Sequence, residues 1–478
     1  MKFGTSGVRG LVEDLLGGGA YIYATGFARH MLNRGDLNDG DEVLVGQDYR
    51  QSSPEIANIC DAALRAEGLV PIHCGAVPTP ALALFAAELG APALMITGSH
   101  IPADRNGIKF YRPDGEIDKC DEAAIADEAA RVELPLGACS PVNNLSAAEA
   151  CTSLFAARNR DLLPPGALTG LKIGVYQHST VARDLLVDVL SSYGATVVPL
   201  GRFESFIPVD TEALSPHTLT LLREWVSSLE LDAIVSADGD GDRPLVADEG
   251  GTPLRGDLLG VVAAKFLGAT TVVTPVTSNS GIENARNLRV VRTRVGSPYV
   301  IAEMNEAVRA GDGNVVGFEA NGGFLTASPF IANGRPFKPL PTRDSFVPIL
   351  AALNLMACRQ VKLSEIAGQF DFFVAKADRL ENFPTETSDA LMRHLRSSDD
   401  AISAFLAPLG SSVGKSDVDG LRITLAGGDV IHFRPSGNAP EMRCYVESKT
   451  DRGADALLRS GLDIIRNWAE GRAGHARM

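Results

Sequence analysis

Short β-branched runs alternate along most of this chain with longer stretches in which apolar positions recur every third or fourth residue, the pattern of strands alternating with amphipathic helices. Two segments show it in the same order. Val43 to Gly75 (VLVGQDYRQSSPEIANICDAALRAEGLVPIHCG) predicts strand, loop, helix, strand, and Lys172 to Gly201 (KIGVYQHSTVARDLLVDVLSSYGATVVPLG) repeats it. Each closes on a glycine, Gly75 or Gly201, read as belonging to a helix C-cap that feeds a parallel strand. A weaker third copy begins at Thr271 (TVVTPVTSNSGIENARNLRVVRTRVG). Such repetition marks βαβ units with right-handed crossovers, whose ligands sit at the carboxyl ends of the strands.

Turn-rich composition suggests where the units end. Glu133 to Glu149 is rich in Pro, Ser, Asn and Ala, and Asp248 to Pro253 reads DEGGTP. A third boundary follows the amphipathic stretch Val361 to Phe370, near the strand-like FDFFVAKAD. The domains expected are residues 1–140, 141–252, 253–364 and 365–478. A chain of 478 residues holds three or four domains at about 150 residues each.

Composition narrows the class. With 45% hydrophobic and 22% charged residues the chain has the mix of an ordered globular protein. Lys and Arg number 44 against 59 Asp and Glu, so the net charge is −15, which repels a phosphate backbone; nucleic acid is not expected as a partner. The amino end, MKFGTSGVRG, lacks the apolar stretch of about 7 to 15 residues that a signal peptide needs, so export by that route is not expected. The most apolar stretch, Leu258 to Val273, contains Lys265 and falls short of the run of about 20 apolar residues that crosses a bilayer, so no membrane span is expected. Seven cysteines lie scattered without CxxC spacing, which fits a reducing cytoplasm better than a zinc site or a disulfide framework. If the ligand is an anion, its site must be an island of positive charge.

Four segments carry candidate chemistry. TGSHIPADRNGIK, from Thr97, follows the apolar run Ala93 to Ile96, so Ser99 stands where a buried strand delivers a loop to the surface. His100 adds an acid/base candidate and Lys109 a cation; no GxSxG pattern marks a hydrolase nucleophile, and a lone loop serine is often inert. In LDAIVSADGDGDRP, from Leu231, the carboxylates of Asp238, Asp240 and Asp242 are spaced by glycines, so the chain can curl and aim them at one hard divalent cation, with Arg243 alongside. An EF-hand fails, because Arg243 holds the sixth position where that loop needs glycine and a strand, not a helix, precedes it. GFEANGGF, from Gly317, places Glu319 and Asn321 on a glycine-rich turn, able to read vicinal hydroxyls or simply a polar turn. FRPSGNAPEMRCYVE, from Phe433, offers the fork of Arg434, the short side chains of Ser436 and Asn438, and Gly437 for close backbone approach to an anion; a hairpin with a surface arginine is the plain alternative.

Taken in this order, GTSGVRG at Gly4, TGSHIPADRNGIK at Thr97, DGDGDR at Asp238, GFEANGG at Gly317 and RPSGNAPEMR at Arg434 resemble the alpha-D-phosphohexomutase family, its phosphomannomutase and phosphoglucomutase branch, over essentially the whole chain. The resemblance implies three related mixed-sheet α/β domains and a smaller C-terminal α+β domain like the TATA-binding-protein fold, set around one central cleft. It implies a phosphoserine at Ser99, completing Mg²⁺ coordination by Asp238, Asp240 and Asp242; Lys109 as general acid/base; and Arg9 and His100 near the transferring phosphoryl group. Arg243 would add charge there, Glu319 and Asn321 would hold sugar hydroxyls, and Arg434, Ser436, Gly437, Asn438 and Arg443 would grip the phosphate that is not reacting. The implied reaction interconverts hexose 1- and 6-phosphates through a hexose 1,6-bisphosphate, in a cytoplasmic monomer or homodimer. A phosphoglucosamine mutase, a sugar-phosphate phosphatase and a non-catalytic sugar-phosphate sensor are the competing readings. Many mannose and glucose mutases carry Ser and His where Asn321 and Gly323 stand here, so the role of that histidine must move to another residue or be absent.

Overall fold

The computed structural model describes residues 1–4, 7–135, 145–436 and 440–475. They fall into two compact units, Met1–Val273 with Gly296–Ile366, and Thr274–Val295 with Ala367–Met478.

One arrangement occurs twice in full in the first unit and a third time in part. Strand Glu42–Gln47 runs parallel to Val70–Ala76, reached through helix Ser53–Ala66, and parallel on its other side to Ala93–Ile96, which turns back antiparallel as Arg105–Arg112. Lys172–His178, Thr196–Arg202, Ala233–Ala237 and Pro244–Ala247 repeat these relations around helix Arg183–Ser192. Thr271–Pro275 likewise lies parallel to Val315–Phe318, which turns back as Phe324–Thr326. The sheets are therefore mixed, as expected. Every residue of Ala93–Ile96 and of Ala233–Ala237 is buried, which is why both read as unbroken apolar runs rather than alternating ones. Helix Ser53–Ala66 buries Ile56, Ala57, Cys60, Ala63 and Leu64, a single stripe at helical spacing.

Two details of the repeat differ from expectation. The glycines that end the helices are Gly68 and Gly194, with φ of 82° and 85°, whereas Gly75 and Gly201 lie inside the strands that follow. In the third copy the segment after the first strand is a 3-10 turn, Ser280–Asn284, and not an α-helix. There the Asn279 carboxamide accepts from the Gly281 N–H at 2.9 Å and caps the amino end of the turn. The apolar stretch from Leu258 divides between the buried helix Gly256–Leu267 and the strand Thr271–Pro275. Among the described residues no single helix is long and apolar enough to cross a membrane.

The second unit holds a five-stranded antiparallel sheet in the order Val374–Leu380, Met442–Ser448, Val430–Pro435, Leu421–Leu425, Ser412–Ser416. Strand Leu421–Leu425 alternates buried and half-buried positions, as a one-sided sheet requires. Its core joins Ile423, Ile431, Phe433 and Cys444 to Leu391 and Leu395 of helix Thr385–Ser397 and to Ile465 of helix Asp451–His475. This is the C-terminal α+β domain.

His178 and His432 are buried neutral. His178 donates from Nε2 to the Ala237 carbonyl at 2.8 Å, and His432 to the Asp419 carbonyl at 2.6 Å. Burial pushes both imidazoles down to about 4. An unfolded histidine titrates near about 6.5, so between those values the unfolded chain binds more protons and stability must fall as pH drops from neutrality toward 4. Each histidine adds at most about 1.4 kcal/mol per pH unit to that slope. We expect the melting temperature to decline over this window and His178→Gln to flatten the decline; an unchanged slope in the variant would contradict the assignment.

Candidate active site

Each of the three antiparallel returns in the first unit carries one of the predicted loops. Ser99 follows strand Ala93–Ile96 with φ 56°, a left-handed conformation that a non-glycine residue keeps only when its surroundings hold it. The holding groups are buried and polar. The Ser99 N–H donates to Thr97 Oγ1 at 2.7 Å, and the Thr97 hydroxyl donates to Asp48 Oδ2 at 2.7 Å. The Arg50 guanidinium donates to the carbonyls of Ser99, Ile101, Pro102 and Arg105 at 3.1, 2.6, 2.8 and 2.9 Å, and stacks on the Phe206 ring with 3.9 Å to its centroid. One arginine thus ties down the loop.

The carboxylate loop links Ala233–Ala237 to Pro244–Ala247 as a tight hairpin, with Ala237 opposite Pro244. Asp238 organises it: Oδ1 accepts from the N–H groups of Asp242 and Arg243, both at 3.1 Å, while Oδ2 accepts from the Ser99 hydroxyl at 2.5 Å. Thr79 donates to Asp240 Oδ2 at 2.5 Å. Oxygens of Asp238, Asp240 and Asp242 lie within 4.8 Å of one another, and all three residues are fully buried. Asp240 Oδ1 and Asp242 Oδ1 are buried without a hydrogen-bond partner. Burial, then the charges of Asp240 and Asp242, hold the Asp238 carboxyl well above the usual range. Orphaned hard oxygens and mutual repulsion are what a divalent cation would relieve, so the donor set fits an ion such as Mg²⁺.

Cations converge on this cluster. Lys109 Nζ donates to Asp240 Oδ2 at 2.5 Å and Asp242 Oδ2 at 2.7 Å. Burial alone would lower its pKa, but these two carboxylates raise it. Lys109 sits on strand Arg105–Arg112, whose Gly107 lies opposite Arg9 of strand Val8–Leu11, so Arg9 and Lys109 share a sheet face. Burial and then the charges of Arg243 and Arg343 push the Arg9 guanidinium down to about 10, an environment that an added anion would ease. Gly7, with φ 78°, lets the amino-terminal turn reach this strand, since a Cβ there would lie 2.2 Å from the Ile108 carbonyl oxygen. Thr5 and Ser6 of the same motif lie outside the described residues. His100 Nδ1 accepts from Arg243 Nη1 at 2.9 Å and stands 3.2 Å from Ser99 Oγ. Burial and the Arg243 charge push His100 down to about 4, so at neutral pH it is an uncharged acceptor.

The third hairpin carries Glu319 and Asn321 between strands Val315–Phe318 and Phe324–Thr326. The Glu319 N–H donates to the Gly323 carbonyl at 3.1 Å, and Asn321 Oδ1 accepts from the Gly323 N–H at 2.9 Å. Glu319 Oε2 accepts from Arg343 Nη1 at 3.1 Å, and Arg343 Nε donates to Asp242 Oδ2 at 2.9 Å. The structure therefore brings Arg9, Ser99, His100, Lys109, Asp238, Asp240, Asp242 and Arg243 together, and Arg343 links Glu319 to them.

The remaining predicted residues belong to the second unit. Arg434 on strand Val430–Pro435 lies opposite Arg443, which lies opposite Arg379 on strand Val374–Leu380. Like charges in a cross-strand row are unfavourable unless countered. Asp419 pairs with Arg434 at 2.9 Å and Glu441 with Arg443 at 3.4 Å and with Arg379 at 3.5 Å. The Ser436 N–H donates to the Glu441 carbonyl at 3.0 Å. Gly437 and Asn438 lie outside the described residues.

Sequence reasoning missed Arg50, Thr79, Arg343 and Arg379. Only Arg50 left a signal, as the polar QDYRQ that breaks off a strand just where a loop should begin. The others stand singly, in no motif.

Family models for the phosphoglucomutase/phosphomannomutase alpha/beta/alpha domains I, II and III match residues 1–135, 156–251 and 255–372. The chain is 52% identical over 475 residues to a phosphomannomutase of Sinorhizobium fredii (strain NBRC 101917 / NGR234), covering 98% of this chain and 99% of the relative. It is 39% identical over 469 residues to a phosphomannomutase of Salmonella muenchen, covering 98% and 96%. Among solved structures, a phosphoglucomutase/phosphomannomutase family protein from Burkholderia thailandensis matches with a TM-score of 0.74 at 19% identity over 98% of this chain and 97% of that one, a likeness of fold.

Proposed function

The chain belongs to the phosphoglucomutase/phosphomannomutase family of alpha-D-phosphohexomutases, and on that premise we propose that it interconverts hexose 1-phosphates and hexose 6-phosphates, mannose phosphates foremost. The observation that carries the reading is the Ser99 hydroxyl set 2.5 Å from Asp238 inside a buried carboxylate triad, with Lys109 on the other two members. We assign Asp238, Asp240, Asp242 and a phosphate oxygen on Ser99 to Mg²⁺, which when bound supplies Lewis-acid neutralisation of the phosphoryl oxygens.

The chain's own groups do the rest. Phosphoserine 99 gives its phosphoryl group to the free hydroxyl of the sugar phosphate: the P–O bond to Ser99 Oγ breaks as the bond to the sugar oxygen forms. The sugar hydroxyl loses a proton as Ser99 Oγ gains one, and Lys109, close to the triad and held protonated by it, is the general acid/base that gives a proton to Ser99 Oγ and regains one from the hydroxyl. The product of this half is a hexose 1,6-bisphosphate. After it turns over, its other phosphate returns to Ser99, so nothing is lost to water. Arg9 and Arg243 steady the charge on the moving group, and neutral His100 accepts a hydrogen bond beside it. Glu319 and Asn321 read hydroxyls, while Arg434, Ser436, Gly437, Asn438 and Arg443 take the distal phosphate. One such loop per domain, at residues 1–140, 141–252, 253–364 and 365–478, belongs to the same proposal. A reducing, cytoplasmic setting belongs to the same proposal, on the scattered cysteine spacing.

Phosphorus NMR of mannose 1-phosphate with the enzyme, Mg²⁺ and a trace of glucose 1,6-bisphosphate tests the reading. We expect conversion to mannose 6-phosphate without inorganic phosphate. Released phosphate would indicate a phosphatase, and binding without conversion a sensor. Turnover of mannose, glucose and glucosamine 1-phosphates side by side then sets the substrate, with the amino sugar expected to be slowest.

A further inference from the structure

Gly323 poses a question that its own backbone does not answer. Its φ lies outside the left-handed range, unlike that of Gly322 at 86°, so conformation alone does not demand glycine. Space does. A Cβ at position 323 would lie 2.5 Å from Cδ, 2.7 Å from Cγ and 3.1 Å from Cβ of Arg343. The arginine stem, carried on strand Leu340–Asp344 beside Phe324–Thr326, fills the volume that a side chain at 323 would occupy. The residue is 3% exposed, and its head is bonded at two ends, Nε to Asp242 Oδ2 at 2.9 Å and Nη1 to Glu319 Oε2 at 3.1 Å. Asp242 belongs to the carboxylate triad and Glu319 to the third hairpin. A planar guanidinium offers separate donors in a rigid fork that sets the spacing of two carboxylates, whereas a lysine ammonium is a single point charge on a flexible stem.

We propose that Arg343 is a positioning residue that clamps the sugar-reading Glu319 to the cation-binding Asp242, so that metal and sugar are bound by one rigid unit, and that Gly323 is glycine to make room for it. The proposal rests on the reading of these two carboxylates given above. It places in Arg343 the buried cation of the third hairpin, where position 323 itself supplies no side chain.

Two quantities read the clamp: KM and kcat for mannose 1-phosphate, and the Mg²⁺ concentration giving half of the Mg²⁺-induced rise in melting temperature, measured without substrate. Arg343→Lys should raise both KM and the Mg²⁺ half-point about tenfold while kcat at saturation changes less, since one charged hydrogen bond is left unmade. Gly323→Ala should reproduce both shifts by displacing the arginine, and the double variant should be no worse than either single one. Glu319→Gln, which alters no member of the triad, should still raise the Mg²⁺ half-point at least about threefold, and it carries the test if Arg343→Lys does not fold. Multiplying effects in the double variant, a lower melting temperature with KM and half-point unchanged, or a Glu319→Gln half-point at the wild-type value would each overturn the clamp. An unaltered chain that binds Mg²⁺ but converts no hexose phosphate would overturn the mutase reading instead.

Discussion

Ser99→Ala should lower interconversion of hexose 1- and 6-phosphates by at least about ten-thousandfold, the scale seen when a covalent nucleophile is removed. The physical basis is narrow. Only Oγ is lost, and with it the atom that carries the phosphoryl group between the two halves of the reaction. The loop that presents residue 99 is held through its backbone by Arg50 and Thr97, neither of which touches the hydroxyl. Serine and alanine meet similar strain at φ 56°, so the substitution adds little there. Asp238 Oδ2 does lose a donor, which costs about 1 to 3 kcal/mol. A bound divalent cation offsets part of that. The variant should therefore stay folded, with a melting temperature a few degrees below the parent, and should still bind mannose 1-phosphate. Turnover within tenfold of the parent would sink the assignment of Ser99, and a collapsed melting transition would mean that the hydroxyl is chiefly structural.

Removing the divalent cation should be nearly as severe. Chelation is expected to reduce turnover about a thousandfold or more and added Mg²⁺ to restore it, whereas Asp240→Asn should be equally slow and not restored. The reason lies in the oxygens left over. Asp240 gives Oδ2 to Thr79 and Lys109, and its Oδ1 is buried with no hydrogen-bond partner. An amide at that position keeps the shape but weakens the charge that would hold the ion. The same change relieves repulsion from Asp238 and Asp242 but removes the charge that pairs with buried Lys109, so without metal Asp240→Asn should melt below the parent. With metal, the rise in melting temperature seen in the parent should be missing. Full turnover in excess chelator would remove the metal from the mechanism, and an Mg²⁺-induced rise retained in Asp240→Asn would remove Asp240 from the site.

Much of this site was legible because its loops are local. A carboxylate on every second residue of DGDGDR, with glycine between, can serve few purposes, and the buried strand before it fixes which end faces outward. Ser99 was found the same way, from the apolar run Ala93–Ile96 and the polar loop that follows. The first two copies of the βαβ pattern were legible for a similar reason, since helix stripe and strand run are both short-range signals. The third copy was only half legible. Where the first two copies follow their first strand with an α-helix, it has the 3-10 turn Ser280–Asn284, a difference that apolar spacing over so short a segment does not carry.

The acidic balance of the chain is not evenly spread. The net charge of −15 is a sum over the whole chain, while Arg9, Lys109, Arg243 and Arg343 are gathered around three aspartates in the interior. Sequence by itself determined the strand–helix alternation, the order of the loops and which serine and which three carboxylates stand in them, because each loop is written in a few consecutive residues. Tertiary structure alone decided that Arg50 anchors the serine loop from 49 residues away and that Arg343 spans from Asp242, 101 residues distant, to Glu319. A lone arginine has no local signature: its meaning comes from which carbonyls and carboxylates the fold places within hydrogen-bond reach of its guanidinium, and burial then makes those few bonds strong.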